Sequence, residues 1–254
     1  MMVKRRVLPS ANRPPPTANR NLLLAALPPD DFVRMAPTLE VISLKLKTVL
    51  HKPGEPIRDV YFPGGGFCSV LTVLEDGAMV EVATIGREGM VGASAVLDDG
   101  PVPSTAMVQA EIDTCYRMSV ADLRRETDRR GALFALLAHY SQAFVGFVMQ
   151  STACNAVHSV EQRLARWLLM ASDRVGSHEF PLTQEFVAMM LGATRPTVTV
   201  VAGTLQKAGL ITYHRGHVSI VDREGLENAS CECYRAATNL INAVTDGSRA
   251  RAWV

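Results

Sequence analysis

The chain has 254 residues, enough for one large domain or two smaller ones. At 48% hydrophobic it can bury a substantial core, and its net charge of +1 excludes a blanket polycation, so any nucleic-acid affinity must come from a local patch. The five cysteines are odd in number and scattered, which implies no disulfide framework and makes the cytoplasm the expected compartment. The longest unbroken apolar runs fall far below the roughly 18 residues of a membrane span, so no transmembrane helix is expected. Leu22 to Leu27 is too short for the apolar region of a secretory signal, and Pro28-Pro29 follows it.

Residues 1–20 carry Lys4, Arg5, Arg6, Arg13 and Arg20, no acidic residue, and Pro14-Pro15-Pro16. This composition reads as a disordered basic arm, which either adds non-specific DNA affinity or is a solvated tail. Asn21 to Leu27 and Asp31 to Leu39 read as short helices, the second capped by Asp30 or Asp31. From Val41 to Met118 the period changes to two. Turn signals at Lys52-Pro53-Gly54-Glu55, Pro63-Gly64-Gly65-Gly66, Glu75-Asp76-Gly77, Gly86-Arg87-Glu88-Gly89 and Asp98-Asp99-Gly100 recur roughly every ten residues, the spacing of a sandwich or barrel of short antiparallel strands. Such a roll can enclose a small-molecule cavity. The Gly64-Gly65-Gly66 run is no phosphate loop, because no Gly-Lys-Ser/Thr follows.

From Leu123 onward the pattern is helical. Leu133, Leu137, Tyr140, Phe144, Phe147, Ser151 and Cys154 recur at alternating spacings of four and three, a heptad seam suited to pairing with a second copy. The same stripe, broadened by Leu136 and Val148, also suits packing on the chain's own roll. Ser159 opens a further helix, with Gln162 placed for a capping box. Asp173-Arg174-Val175-Gly176 then forms a hinge-like linker.

Leu182 to Ile211 is the most informative stretch. Thr183 is placed as an N-cap, and Phe186, Val187, Met190 and Leu191 make one apolar face. Gly192 permits the left-handed turn that ends this helix. Thr194 caps a second helix, Pro196 falls in its first turn, and Val198, Val201, Leu205 and Ala208 continue to Gly209. Two helices joined by so short a turn cross, as in a helix-turn-helix. Ala188, Gly192 and Val198 supply the small residue, the turn glycine and the β-branched packer that a tight crossing needs. Arg195, Thr197 and Thr199 lie on the outer face and are side chains of the kind that read base edges or hold phosphates. The expected DNA-contacting set is Thr183, Thr194, Arg195, Thr197, Val198, Thr199 and Lys207. The competing interpretation is an ordinary helical hairpin in a core.

Leu210 to Tyr213 and Val218 to Val221 alternate like strands around His214-Arg215-Gly216-His217. A hairpin directly after a recognition helix is a wing, and His214, Arg215 and His217 make its tip basic. Asp222 to Glu227 starts a last helical tail that contains Cys231-Glu232-Cys233.

The order of roll, long helix, helix-turn-helix and wing resembles the superfamily of the catabolite activator protein and the fumarate–nitrate regulators, Crp/Fnr, over roughly residues 22 to 222. Thr183, Ala188, Gly192, Arg195, Thr197 and Val198 fall where that family has equivalent residues. Val91 to Leu97 and Pro103-Ser104-Thr105-Ala106 look like its phosphate-binding cassette. The resemblance implies an α+β protein. Its parts are an N-terminal antiparallel β-roll of the cyclic-nucleotide-binding type, a long dimerisation helix and a C-terminal winged helix-turn-helix. The family's ribose-binding glutamate and phosphate-binding arginine correspond to Ala93 and Pro103. Each lost hydrogen bond to charge costs about 1.5–3 kcal/mol. The expected effector pocket, Gly92, Ala93, Ser104 and Thr105, is therefore degenerate and unresponsive to cyclic AMP. The iron–sulfur branch of the family has an N-terminal cysteine cluster, whereas the first cysteine here is Cys68. Pro196 and Val200 stand where members often carry glutamate and arginine on the reading face.

Cys231-x-Cys233 supplies two metal ligands of four, with no Cys or His pair nearby in sequence, so no metal site is expected. Cys154 reads as a small buried packer, or as a thiol facing its twin across a dimer. His139 and His158 are lone helical histidines, more readily surface or satisfied residues than haem ligands. No catalytic constellation appears, so an enzyme is not expected, and no cofactor is either. The expected division is a basic arm over 1–20, a sensory roll over 21–122, a dimerisation helix over 123–158, a winged helix-turn-helix over 159–224 and a tail over 225–254. The expected partners are double-stranded DNA, a second copy of the chain and RNA polymerase, with no membrane. The alternative is a small-molecule or redox-sensing module whose helix pair contacts protein.

Overall fold

The computed structural model describes residues 20–98 and 100–245, and the basic arm read over 1–20 lies outside them except for Arg20. The first helix, α1 (Leu22–Ala25), starts on Asn21. The Asn21 amide is fully buried. Its Oδ1 accepts from the Leu24 N–H at 3.0 Å, and its Nδ2 donates to the carbonyls of Pro63 and Gly89 at 2.9 Å. A buried amide satisfied in this way fixes the short helix against the end of a strand at Pro63 and the turn at Gly89. Helix α2 (Pro29–Met35) begins on Pro28 with no side-chain cap. The expectation of an Asp30 or Asp31 cap is thus corrected. Pro29 supplies the preset φ of a first helical position, and the two acids lie in the first turn, where they favour the positive end of the helix dipole.

Seven strands follow: β1 (Glu40–Leu44), β2 (Val49–His51), β3 (Asp59–Pro63), β4 (Phe67–Val73), β5 (Met79–Ile85), β6 (Thr105–Ala110) and β7 (Ile112–Ser119). They form two sheets, β1-β7-β3 and β2-β6-β4-β5. In the first, β7 pairs antiparallel with both neighbours, and Met118 lies opposite Val60 as Tyr116 lies opposite Phe62. These four side chains share one face and enter the core with Leu23, Phe32, Met35 and Leu123. Helix α3 (Val120–Thr127) is capped by Ser119. The continuous helix expected from Leu123 is interrupted after it, and Arg130 takes a positive φ of 55° before α4 (Ala132–Val157) begins.

Helix α4 departs most from expectation. Leu133, Leu137 and Tyr140 are buried in the core beneath the roll, and Phe144 packs against the same cluster. Tyr140 Oη also donates to the Met90 carbonyl at 3.3 Å. Further along, Phe147, Ser151 and Cys154 are buried as well. The stripe expected to face a second copy is therefore occupied by the chain itself, because burying each large apolar side chain is worth about 1.5–3 kcal/mol. A second stripe runs along the same helix, at Ala135, Ala138, Gln142, Val145, Met149, Thr152 and Ala156. It has the same alternating three-and-four spacing, and all seven residues are exposed. Val145 is 57% and Met149 66% exposed. Within α4 an 18-residue window is also apolar enough on average to cross a membrane, a test that unbroken apolar runs do not apply. One of its faces, however, is already packed into the core.

Close contacts divide the chain into two units. Among the described residues, one takes those up to Val70, those between Thr84 and Val145 and those from Leu240 to Thr245; the other takes Leu71–Ala83 and Gly146–Asn239. The second unit contains α5 (Val160–Val175), β8 (Glu179–Pro181), α6 (Gln184–Leu191), α7 (Arg195–Lys207), β9 (Ile211–His214), β10 (His217–Ile220) and α8 (Arg223–Ala229), and α9 (Cys233–Thr245) starts within it. Ser159 and Gln162 form the capping box of α5. Trp167 on α5 lies edge-on to Phe186 with ring centroids 5.8 Å apart, and its Nε1 donates to Glu81 Oε1 at 2.8 Å. The wing sheet has three strands in the order β8-β10-β9 rather than the two expected.

Candidate DNA interface

The helix pair is built by its caps. Thr183 Oγ1 accepts from the Phe186 N–H at 3.3 Å and starts α6. Gly192, at a φ of 56°, ends it in a left-handed conformation that a side chain would strain. Arg163 Nη1 donates to the Leu191 carbonyl at 3.0 Å and satisfies an acceptor at the negative end of α6. Two residues later Thr194 Oγ1 accepts from the Thr197 N–H at 3.4 Å and starts α7. The two axes make an angle of 104°, in the range of DNA-binding helix pairs. Val187, Ala188 and Leu191 on α6 are buried, as are Val198, Ala202 and Leu205 on α7.

The crossing decides which residues can reach a ligand. Val198 is 1% exposed and packs between the helices, so its place among the expected DNA contacts is corrected. Thr183, Thr194, Arg195, Thr199 and Lys207 are exposed, and Thr197 is half-buried. Thr197 shares a 2.9 Å hydrogen bond with Thr194. Thr199 Oγ1 lies within donating distance of Gln184 Oε1 at 2.7 Å and of the Arg195 carbonyl at 3.0 Å, so its one hydroxyl proton is engaged within the helix pair. Val200, 69% exposed, lies on the same outer face and was not among the expected contacts. Its signal was its position, one turn beyond Pro196 on the reading side. An exposed β-branched methyl group suits the methyl of thymine.

The wing tip exposes His214, Arg215 and His217. Arg215 and Gly216 have φ values of 47° and 78°, as a two-residue turn with both central φ positive requires. A side chain in that conformation costs about 1–2 kcal/mol. Arg215→Gly removes this strain but adds unfolded-state freedom worth about 0.5–1 kcal/mol. We therefore expect the variant to unfold at an equal or higher temperature while its DNA affinity falls. A lower melting temperature would show that Arg215 stabilises the fold rather than serving a ligand.

In the roll, a cavity of about 110 Å3 opens between Ile57, Ser94, Ala95, Asp98, Pro103 and Arg124, among others. Its lining includes Ser94, Ala95 and Pro103, the immediate neighbours of Ala93 and Ser104, rather than Gly92, Ala93, Ser104 or Thr105 themselves. Thr105 is buried in β6, and a Cβ on Gly92 would lie 3.2 Å from Val60 Cγ1. The cation of the cavity comes instead from α3, where Arg124 Nη2 donates to the Ala95 carbonyl at 3.2 Å. Nothing in the spacing of the cassette signals that contribution.

A second cluster was not legible from spacing either. Cys154, His158, Cys231 and Cys233 bring their ligand atoms within 4.8 Å of one another. The expectation that Cys231 and Cys233 have no further ligands is corrected by Cys154 and His158, which the C-terminal end of α4 brings beside them. Cys154, expected either as a packer or as a thiol facing its twin, is buried and faces Cys231 of the same chain.

The model of the cyclic nucleotide-binding domain family matches residues 41–130, and that of the Crp-like helix-turn-helix domain matches residues 162–229. Together they take in more than half of the chain. No curated protein matches it in sequence. Among solved structures, FixK2 from Bradyrhizobium japonicum is similar at 16% identity over 76% of this chain and 98% of its own, with a TM-score of 0.61. CLP of Xanthomonas campestris, a c-di-GMP responsive global regulator, is similar at 16% identity over 75% and 98%, with a TM-score of 0.60. A CRP-family transcriptional regulator from Thermus thermophilus is similar at 20% identity over 74% and 95%, also with a TM-score of 0.60. At such identities the likeness concerns the fold, and the two domain families carry the assignment. A cyclic-nucleotide-type roll followed by a long helix and a Crp-like helix-turn-helix is the architecture of DNA-binding transcription regulators, and the chain belongs to the Crp/Fnr superfamily.

Proposed function

We propose that this regulator acts in the cytoplasm as a homodimer on a pseudo-palindromic DNA site and does not respond to cyclic AMP or cyclic GMP. The observation that carries the reading is the 104° helix pair with Arg195 exposed at the start of its second helix. Arg195 has the reach and the fork geometry for guanine O6 and N7, Val200 suits a thymine methyl, and Lys207 and Arg215 suit phosphates. The exposed stripe of α4 supplies a seam for the second copy, and a twofold axis places half-sites about 34–36 Å apart. Transcriptional output in this reading passes to RNA polymerase. Selection of bound sequences from random duplexes tests the proposal. We expect a twofold-symmetric consensus, and an unsymmetric or absent consensus contradicts it.

The nucleotide part rests on the cavity. Its volume of about 110 Å3 is well below the roughly 300 Å3 at which small-molecule pockets begin. Asp98 shares the cavity with Arg124, so an incoming phosphate meets a carboxylate as well as a guanidinium already bonded to Ala95. We expect calorimetry with either nucleotide at millimolar concentration to show no binding, and DNA affinity to change by less than twofold. Micromolar affinity would overturn this part alone.

A further inference from the structure

Cys154 and His158 stand four residues apart at the C-terminal end of α4, so their side chains point to one side. Cys231 and Cys233 flank Glu232, Cys231 in the break after α8 and Cys233 at the first position of α9. Cys154 Sγ lies 3.5 Å from Cys231 Sγ, and Cys233 Sγ lies 3.6 Å from His158 Nδ1. A tetrahedral zinc ion with bonds of about 2.3 Å to sulfur and 2.0–2.1 Å to nitrogen has sulfur–sulfur edges of about 3.8 Å and sulfur–nitrogen edges of about 3.6 Å. The measured edges fit one ion. A polynuclear iron–sulfur centre, with bridging sulfides between its irons, spreads its thiolates further apart than the 4.8 Å limit here.

The surroundings point the same way. His158 Nε2 lies 3.3 Å from Glu232 Oε2, which fixes the ring with Nδ1 turned toward the thiols, the carboxylate–histidine–metal arrangement. Gln150 Nε2 donates to Cys233 Sγ at 3.0 Å, a bond that strengthens when the sulfur is a thiolate. Arg166 is 7% exposed, its Nε has no partner among the described residues, and it lies close enough to act electrostatically on Cys154. Its guanidinium bonds to Met170 Sδ rather than to a carboxylate. A buried cation without a counter-charge is costly. Three thiolates and one dication leave a net charge of −1, which supplies that counter-charge.

We propose that Cys154, His158, Cys231 and Cys233 bind one Zn2+ ion in a closed, four-ligand structural site that clips the end of the long helix to the segment after the wing. The whole winged helix-turn-helix lies in the stretch of chain between the two ligand pairs. The clip therefore closes that stretch at its base and holds the junction of α4 and α5 against the start of α9. Binding releases the protons of the three thiols, and no electron is transferred.

The test uses the full chain purified under reducing conditions. Metal analysis should find about one zinc per chain, and replacement by Co2+ should give the visible bands of a tetrahedral ion with thiolate charge transfer. Cys154→Ser and Cys231→Ser should each abolish this spectrum. Glu232, whose side chain is 69% exposed, provides a variant that folds: Glu232→Ala should weaken zinc about 10–100-fold in competition with a chelator. Little zinc as purified, together with failure of the reduced protein to take up micromolar Zn2+ or Co2+, overturns the proposal. So does unchanged zinc affinity in Glu232→Ala, or a Cys154–Cys231 disulfide that forms while no metal is taken up.

Discussion

Val145→Glu combined with Met149→Glu should leave a folded monomer that binds DNA at least a hundredfold more weakly. Both side chains are exposed on α4 and face away from the core, so the monomer should lose no more than about 0.5 kcal/mol of stability. In a parallel pair of α4 helices each stands in the seam, where burying one such side chain is worth about 1.5–3 kcal/mol. The double variant removes that burial from both copies and sets like charges against each other. A monomer engages one half-site at a time, and loss of the linked second half costs a factor of about 10²–10⁴. Light scattering and fluorescence anisotropy measure the two effects. Phe144→Glu with Phe147→Glu provides the contrast. Phe147 is buried and Phe144 packs on the core, so this pair should lower the melting temperature sharply. A V145E/M149E protein that remains dimeric sinks the seam.

Arg195→Ala should cost about 1–3 kcal/mol per half-site and relax preference at one base position in each. Arg195 occupies the first position of α7, outside the packed face, so its loss leaves the helix pair intact. Arg195→Lys should not restore preference, because an ammonium cannot make the planar two-point contact to guanine. Lys207→Ala, at the far end of the same helix, should instead weaken all sequences alike. Binding to a panel of single-base variants of the selected site separates these patterns. Uniform weakening by Arg195→Ala would make Arg195 a phosphate contact and leave Val200 and Thr199 to carry the base preference.

What the sequence made legible was local. Thr183, Gly192, Thr194 and Ser159 act within three or four residues of themselves, and each forms the cap or turn read from its position. The roll was legible as alternation and punctuation. Which stripe of α4 the chain itself buries was not, because two stripes share one spacing. The bulkier stripe was drawn into the chain's own core, leaving the smaller side chains outward. Val198 carried two readings, packer and DNA contact, and only the crossing of the helices separated them. The cavity depends on Arg124, which a different element brings to the cassette. The Cys/His cluster joins positions 75 and more apart, and no spacing rule spans such a distance. Strand β8 is three residues long, too short for alternation to appear.

The central claim is that a dimer of this chain recognises a specific DNA site through the outer faces of α7 and the wing. Anisotropy with a selected duplex, titrated from low to moderate salt, tests it most directly. Lys207 and Arg215 give about four phosphate contacts per dimer, so the logarithm of affinity should fall against the logarithm of salt with a slope on the order of −4. The selected duplex should be preferred over a scrambled one by about 10³-fold or more, at one dimer per duplex. A slope near zero with no preference between the duplexes contradicts the account.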